Sequence, residues 1–82
     1  MHTILVTGGA GFIGSNFIKK MLEKYPDCRI INVDALTYAG NLENLKEIES
    51  DKRHVFIKAD IRDRQVIEAV FDQYEVEYVV NF

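Results

Sequence analysis

The 82-residue sequence has little of what several protein classes require. Its single cysteine, Cys28, cannot form an internal disulfide and fits a reducing, cytoplasmic setting. Ten basic residues against thirteen acidic ones give a net charge of −3, so the basic surface of a nucleic-acid binder is missing. No apolar run approaches the roughly 18 residues of a membrane span, and His2 and His54 lack partners at metal-ligand spacing. We therefore expect one small soluble domain without nucleic-acid, membrane or metal partners.

Short apolar segments alternate with helical patterns along the chain. Strands are predicted at 3–7, 29–34, 54–59 and 77–82, and helices at 12–24, about 42–48 and about 64–74. We expect the last helix to start after an Asp63 N-cap and to bury Val66, Ile67, Val70 and Phe71. This order predicts an α/β fold, a Rossmann-like doubly wound parallel sheet with strand order 3-2-1-4. The first two helices would cover one face and the third helix the other.

The segment TGGAGFIG, directly after the first predicted strand, contains both G-x-G-x-x-G (Gly9, Gly11, Gly14) and G-x-x-G-x-x-G (Gly8, Gly11, Gly14). Gly8 or Gly9 would permit a sharp turn, Gly11 would let a pyrophosphate approach the backbone, and Gly14 would let the helix pack closely. Free amides and the positive helix end favour an anion there. A chance glycine-rich loop is the alternative, but the motif lies between a strand and a helix, as the dinucleotide fingerprint requires. Ser15 stands where a P-loop needs lysine, which excludes that site.

Two acidic residues end predicted strands. Asp34, 20 residues after Gly14, could accept hydrogen bonds from the adenosine ribose and would repel a 2′-phosphate. Because two like charges about 4 Å apart cost on the order of 4 kcal/mol near a protein surface, NAD is favoured over NADP; the alternative for Asp34 is a simple turn residue. Asp60 could face the adenine amino group with Ile61 beside the ring, or could cap the backbone amides of Ile61 or Arg62. Both interpretations of Asp60 stay open.

The residues that follow the four tyrosines are also informative. None is followed by lysine four residues later, so the Tyr-x-x-x-Lys pair with which short-chain dehydrogenases transfer protons does not occur in these 82 residues. We therefore predict no catalytic residue in this sequence.

These motifs together resemble a known superfamily. TGGAGFIG, Asp34 and the Asp60-Ile61 pair are similar to those of extended short-chain dehydrogenase/reductases, which bind NAD and act on nucleotide sugars. The run LTYAGNLENL that follows, with ADIRD and VVNF, resembles the dTDP-glucose 4,6-dehydratase branch. The resemblance spans essentially the whole chain but only the first quarter or so of such an enzyme. It implies that residues 1–82 are a partial NAD-binding Rossmann domain, with the catalytic and sugar-nucleotide segments absent from it.

The resemblance also implies which residues contact NAD. Those expected at the pyrophosphate are Gly8, Gly11, Phe12, Ile13 and Gly14. Those expected at the adenosine ribose and adenine are Asp34, Ala35, Leu36 and Thr37, and those at the adenine alone are Asp60 and Ile61.

For the whole enzyme, the resemblance implies a lyase that converts dTDP-glucose to the 4-keto-6-deoxy sugar. Hydride passes from C4 of the glucose to NAD, water leaves across C5 and C6, and the hydride returns to C6. A dTDP-sugar site outside these residues, a homodimer and a cytoplasmic location are implied as well, and the 82 residues alone should be inactive. The alternatives are an NAD-dependent nucleotide-sugar epimerase or decarboxylase of the same superfamily, or a non-enzymatic nucleotide-binding module.

Overall fold

The computed structural model of the chain describes residues 2–36 and 42–82. Within these residues the strands are β1 (His2–Thr7), β2 (Cys28–Asp34), β3 (His54–Lys58) and β4 (Val76–Asn81). The α-helices are α1 (Phe12–Lys24) and α2 (Arg64–Gln73), and a 3₁₀ helix spans Leu42–Ile48. All strand pairs are parallel and the sheet order is β3-β2-β1-β4, which confirms the predicted topology.

The core forms on both faces of this sheet, because alternate residues of the central strands point to opposite sides. On one face, Ile4 and Ile30 pack with Ile18 of α1 and Leu45 of the 3₁₀ helix. On the other face, Leu5, Ile31 and Val33 pack with Val70 of α2. The first two helices thus share one face and α2 covers the other, as the sequence predicts.

The packing of α2 corrects one prediction. Val70 is buried, but Val66 and Ile67 are only partly buried and Phe71 is 48% exposed. The side chains that reach the sheet are Ile67, Val70 and Tyr74, which follow the i, i+3, i+7 spacing of a single narrow stripe. Phe71 lies about a quarter turn away from Val70 and is not among the side chains that pack against the sheet.

The parallel arrangement places the carboxyl ends of all four described strands at one edge of the sheet. The glycine turn leaves β1 there, Asp34 ends β2, Asp60 follows β3 and Asn81 ends β4. In open α/β sheets, ligands bind outside these carboxyl ends. The fold therefore brings the predicted site residues to a common edge.

Candidate functional site

The turn between β1 and α1 has a backbone that glycine makes possible. Gly8 has a φ of +75°, in the left-handed region that other residues rarely adopt. Its N–H donates to the Val33 carbonyl at 3.0 Å, and the Gly11 N–H donates to the Gly8 carbonyl at 3.3 Å. A Cβ at Gly8 would lie 2.8 Å from the carbonyl oxygen of Phe82. Of the two glycines that the sequence offers for the sharp turn, Gly8 is the one with positive φ.

Gly14 lies in the first turn of α1, where the helix touches the chain leaving β1. A Cβ at this position would lie 2.5 Å from the Gly8 carbonyl oxygen and 2.9 Å from the Gly9 Cα. Both neighbours are backbone atoms, which cannot move aside as a flexible side chain can. The missing side chain of Gly14 therefore sets how closely α1 approaches the turn.

The first turn of α1 is open to an anion. Gly11 is the N-cap residue and has no side chain to accept a hydrogen bond from the first helical amides, and no acidic residue follows in that turn. Phe12 and Ile13 are 75% and 70% exposed. The positive end of the helix and its amides consequently face outward without a capping group from the side chains of this turn.

Asp34 connects the end of β2 to the glycine turn. One carboxylate oxygen, Oδ2, accepts a hydrogen bond from the Ala10 N–H, and the other, Oδ1, accepts from the Leu36 N–H, both at 2.8 Å. The residue is only 9% exposed. Leu36 has a φ of 57°, an uncommon conformation for a bulky residue, which the bond to Asp34 helps to hold. Asp34 thus acts as a turn residue, while each oxygen retains a second lone pair for another donor.

Asp60 pairs with Arg62 at the end of β3. Its Oδ1 accepts a hydrogen bond from the Arg62 N–H at 2.8 Å, and its Oδ2 accepts from the guanidinium Nη2 at 2.7 Å. These bonds, the side-chain bond first, lower the pKa of the Asp60 carboxyl to about 2. Of the two interpretations of Asp60, capping of the Arg62 amide is present in the structure.

A cleft of about 290 Å³ joins these elements at the sheet edge. Of the predicted site residues, it is lined by Gly8, Asp34, Ala35, Asp60 and Ile61. Its lining does not include Gly11, Phe12, Ile13 and Gly14, which lie in the turn and at the start of α1, nor Leu36, which follows Ala35. Thr37 lies outside the described residues.

Three polar residues at this edge were not predicted from the sequence. Thr7 Oγ1 donates to Asn81 Oδ1 at 2.5 Å, which ties the ends of β1 and β4 together beside the cleft. Asn44 of the 3₁₀ helix donates from Nδ2 to the Ala10 carbonyl at 2.9 Å and so fixes the turn from another side. Asn81 could have been found from its place at the carboxyl end of a strand, but no sequence signal distinguishes Asn44.

Other features of the described residues offer less chemistry. A larger groove of about 540 Å³ lies between α1 and β4, but Phe17, Met21, Tyr78 and Val80 make its lining mostly apolar. No residue of the glycine turn lines it, and it has few groups that could bind a phosphate. The residues that the structure describes contain no cluster of three or more potential metal ligands. None of the described helices is both long enough and apolar enough to cross a bilayer.

Comparison with known proteins confirms the resemblance to dTDP-glucose 4,6-dehydratases. The enzyme of that name from Xanthomonas campestris pv. campestris is 44% identical over 82 residues, which are 100% of this chain and 23% of the relative. The crystal structure of the Bacillus anthracis dTDP-glucose 4,6-dehydratase in complex with NAD matches with a TM-score of 0.96 and 49% identity, over 100% of this chain and 26% of that one. The chain thus spans about a quarter of the length of these relatives.

A related enzyme of different activity matches less closely. The UDP-glucose 4-epimerase structure from Thermotoga maritima has a TM-score of 0.81 and 38% identity, over 98% of this chain and 23% of that one. The family described as GDP-mannose 4,6 dehydratase matches residues 5–82, which is nearly the whole sequence. The chain therefore belongs to the GDP-mannose 4,6 dehydratase family.

Proposed function

We propose that this chain binds NAD, with the pyrophosphate at the glycine turn and the adenosine in the adjoining cleft. The observation that carries the proposal is the open amino end of α1, which follows the left-handed Gly8 and lies next to the carboxylate of Asp34. Backbone amides and the helix dipole favour an anion at such an end. The NAD-bound Bacillus anthracis structure, to which the chain is similar along its whole length, supports the same ligand.

Asp34 gives the proposed site its preference for NAD over NADP. The carboxylate is held in place by the Ala10 and Leu36 amides, so it cannot swing away from a ligand without losing both hydrogen bonds. A 2′-phosphate about 4 Å away would be repelled by on the order of 4 kcal/mol, before screening and rearrangement. The ribose hydroxyls of NAD can instead donate to the remaining lone pairs of the carboxylate.

Ile61 and Asp60 are proposed to border the adenine. Ile61 is 50% exposed and lines the cleft, so its apolar surface is available to one face of the ring. Asp60 already accepts four hydrogen bonds from Arg62, so a contact with the adenine amino group would have to share its oxygens with the guanidinium. Thr37 completes the set of adenosine contacts in this proposal.

We further propose that the chain is the NAD-binding part of a dTDP-glucose 4,6-dehydratase. Bound NAD would supply the hydride acceptor and donor, so that hydride leaves C4, water is lost across C5 and C6, and hydride returns to C6. The residues of this chain would bind and orient the cofactor, while proton transfer and the dTDP-sugar would require groups outside the 82 residues. A homodimeric assembly and a cytoplasmic location belong to the same proposal and come from the resemblance alone.

A nucleotide-sugar epimerase is the second candidate, because the Thermotoga maritima UDP-glucose 4-epimerase has the same fold at 38% identity. The higher identity to the Bacillus anthracis dehydratase, 49%, favours the first candidate. Incubating the intact protein with dTDP-glucose separates the two. A 4-keto-6-deoxy product supports the dehydratase, and dTDP-galactose supports the epimerase.

Cofactor binding is tested by titrating NAD and NADP into the wild type, Asp34→Asn and a charge-matched control. The control, Asp72→Asn, removes a carboxylate from the exposed side of α2. We expect the wild type to prefer NAD. In Asp34→Asn the ratio of the Kd for NADP to the Kd for NAD should fall at least tenfold, which corresponds to about 1.4 kcal/mol. The control should keep the preference. An unchanged preference in Asp34→Asn would show that the proposed role of Asp34 is wrong, and a wild type that binds neither cofactor would refute the proposed function.

A further inference from the structure

Asn32 is a polar residue in the middle of an apolar strand. It lies in β2 between Ile31 and Val33, has no exposed surface, and points to the same face of the sheet as the core residue Ile30. Burying an amide among apolar side chains is unfavourable unless hydrogen bonds compensate for the lost water. The position therefore requires an explanation that packing of the core does not supply.

The side chain of Asn32 occupies the space beside Gly9 in the glycine turn. A Cβ at Gly9 would lie 2.3 Å from Asn32 Oδ1 and 2.6 Å from Asn32 Cγ, with Ile18 Cδ1 also at 2.6 Å. The planar amide thus lies against the backbone of Gly9, where any side chain on that residue would collide with it. Gly9 is needed here for this close approach, since its φ is not among the positive values of the described glycines.

Consecutive residues of β2 hold consecutive residues of the turn. The Val33 carbonyl accepts a hydrogen bond from the Gly8 N–H, and the Asp34 carboxylate accepts one from the Ala10 N–H. Gly9 lies between these two anchored residues and rests on Asn32. The end of β2 therefore acts as a template for the whole turn, and Asn32 provides its central contact.

The other end of the amide is held by His54 of β3. Asn32 Nδ2 lies 3.3 Å from His54 Nε2, a bond that directs the amide oxygen toward Gly9. That oxygen, Oδ1, is buried and has no hydrogen-bond partner among residues 2–36 and 42–82. A buried carbonyl without a partner is unfavourable for folding. This uncompensated carbonyl lies at the contact with the turn, where the packing of the core does not account for it.

We propose that Asn32 is a positioning residue for the dinucleotide, whose side chain fixes Gly9 so that the turn amides are aligned for the pyrophosphate. The inference rests on the proposed function, because it assigns Asn32 a part in NAD binding. Asn32 acts through Gly9 and has no contact with the ligand. Its removal should therefore weaken ligands that carry a pyrophosphate and spare adenosine, which occupies only the cleft.

The test measures the binding of NAD and of adenosine to the intact protein in two variants. Asn32→Ala empties the space beside Gly9, and Asn32→Leu fills it with a branched side chain that is thicker than the planar amide. We expect both variants to bind NAD about tenfold more weakly, which corresponds to the loss of roughly one hydrogen bond between a turn amide and the pyrophosphate. Adenosine affinity should stay within about twofold. Asn32→Leu removes the unpaired buried carbonyl, but it also leaves His54 Nε2 without its partner and adds bulk beside Gly9, so urea denaturation accompanies both titrations to show that each variant is folded.

A double variant tests the contact itself. Gly9→Ala alone should weaken NAD binding more than Asn32→Ala does, because its Cβ collides with the amide. In Gly9→Ala/Asn32→Ala, two of the three close contacts are gone, so NAD should bind more tightly than to Gly9→Ala. The matched control is Val70→Ala, which lowers stability from the opposite face of the sheet and should leave NAD affinity unchanged.

The outcomes separate this inference from the proposed function. If the wild type binds NAD but either Asn32 variant binds it equally well, or if adenosine weakens as much as NAD, Asn32 has no positioning role and the proposed function stands. A double variant no better than Gly9→Ala also overturns the inference. A wild type that does not bind NAD overturns both.

Discussion

Substituting alanine for Gly14 tests the geometry on which the phosphate site depends. Two opposing effects set the expected change in stability. Alanine stabilises a helix by roughly 0.5–1 kcal/mol relative to glycine. Against this, the new Cβ would lie 2.5 Å from the Gly8 carbonyl oxygen and 2.9 Å from the Gly9 Cα, distances that real Cβ atoms do not show.

The collision should win. Overpacking typically costs about 1–3 kcal/mol, and the upper part of that range applies because the obstacles are backbone atoms. Subtracting the gain in helix propensity leaves Gly14→Ala less stable by about 2 kcal/mol. The relief of the collision must move α1 away from the turn, so the helix amides lose their alignment and NAD affinity should fall at least tenfold. Urea denaturation gives the free energy of unfolding, and calorimetric titration gives the affinity.

Asn16→Ala is the matched control, since it introduces the same side chain at an exposed position of α1 and disturbs only a surface hydrogen bond to the Phe12 carbonyl. Its stability should stay within about 0.5 kcal/mol of the wild type. If Gly14→Ala is as stable as the wild type and binds NAD equally well, the spacing between α1 and the turn is not what defines the site.

Two further predictions concern stability. Asp63 caps α2 by accepting a hydrogen bond from the Val66 N–H at 3.3 Å. In urea denaturation, Asp63→Ala should lower the free energy of unfolding by about 0.5–1 kcal/mol, whereas Asp63→Ser, whose hydroxyl can also cap the helix, should lower it much less. Equal losses in the two variants would contradict the cap. Burial lowers the pKa of His54 below its usual 6.5, with the charge of Asp51 opposing the shift. The unfolded chain therefore takes up a proton near pH 6.5 before the folded chain does, so the free energy of unfolding should fall as the pH falls below about 7. His54→Gln should reduce this dependence of the free energy of unfolding on pH, measured by urea denaturation between pH 7.5 and 5.5. Asp60, with its pKa of about 2, becomes protonated only below this range. An unchanged pH dependence would show that His54 is not the group responsible.

Periodicity predicted the elements well because most of them bury their apolar residues in a regular pattern. The spacing of Leu42, Leu45 and Ile48 by three residues fits the period of the 3₁₀ helix that forms there, although the sequence predicted only a short helix. Phe71 was wrongly predicted to be buried because the sequence shows an apolar sector on α2 but not how wide a stripe of it the sheet can cover. That width depends on neighbours that local pattern does not specify.

The candidate site was predictable in its residue types and less so in its contacts. The glycine spacing and the place of Asp34 follow from the geometry of a strand, a turn and a helix. The bonds from Asp34 to Ala10 and Leu36 depend on where the turn folds back, which the local sequence does not determine. Asn32 did carry a signal, since it interrupts an otherwise apolar strand, and a buried polar residue next to a glycine turn merits attention in any sequence of this kind.

The double role of Asp34 limits how the preference for the cofactor can change. One carboxylate both repels a 2′-phosphate and holds the turn that would bind the pyrophosphate, through Ala10. A substitution that admits NADP by removing the charge also removes an acceptor from a buried N–H, which costs about 1–3 kcal/mol. Asn at position 34 keeps one acceptor oxygen, so it can retain the bond to Ala10 or to Leu36 but not both. Replacing the acid should therefore weaken the binding of both cofactors even as it narrows the difference between them, and an efficient switch to NADP would need a new acceptor for the turn.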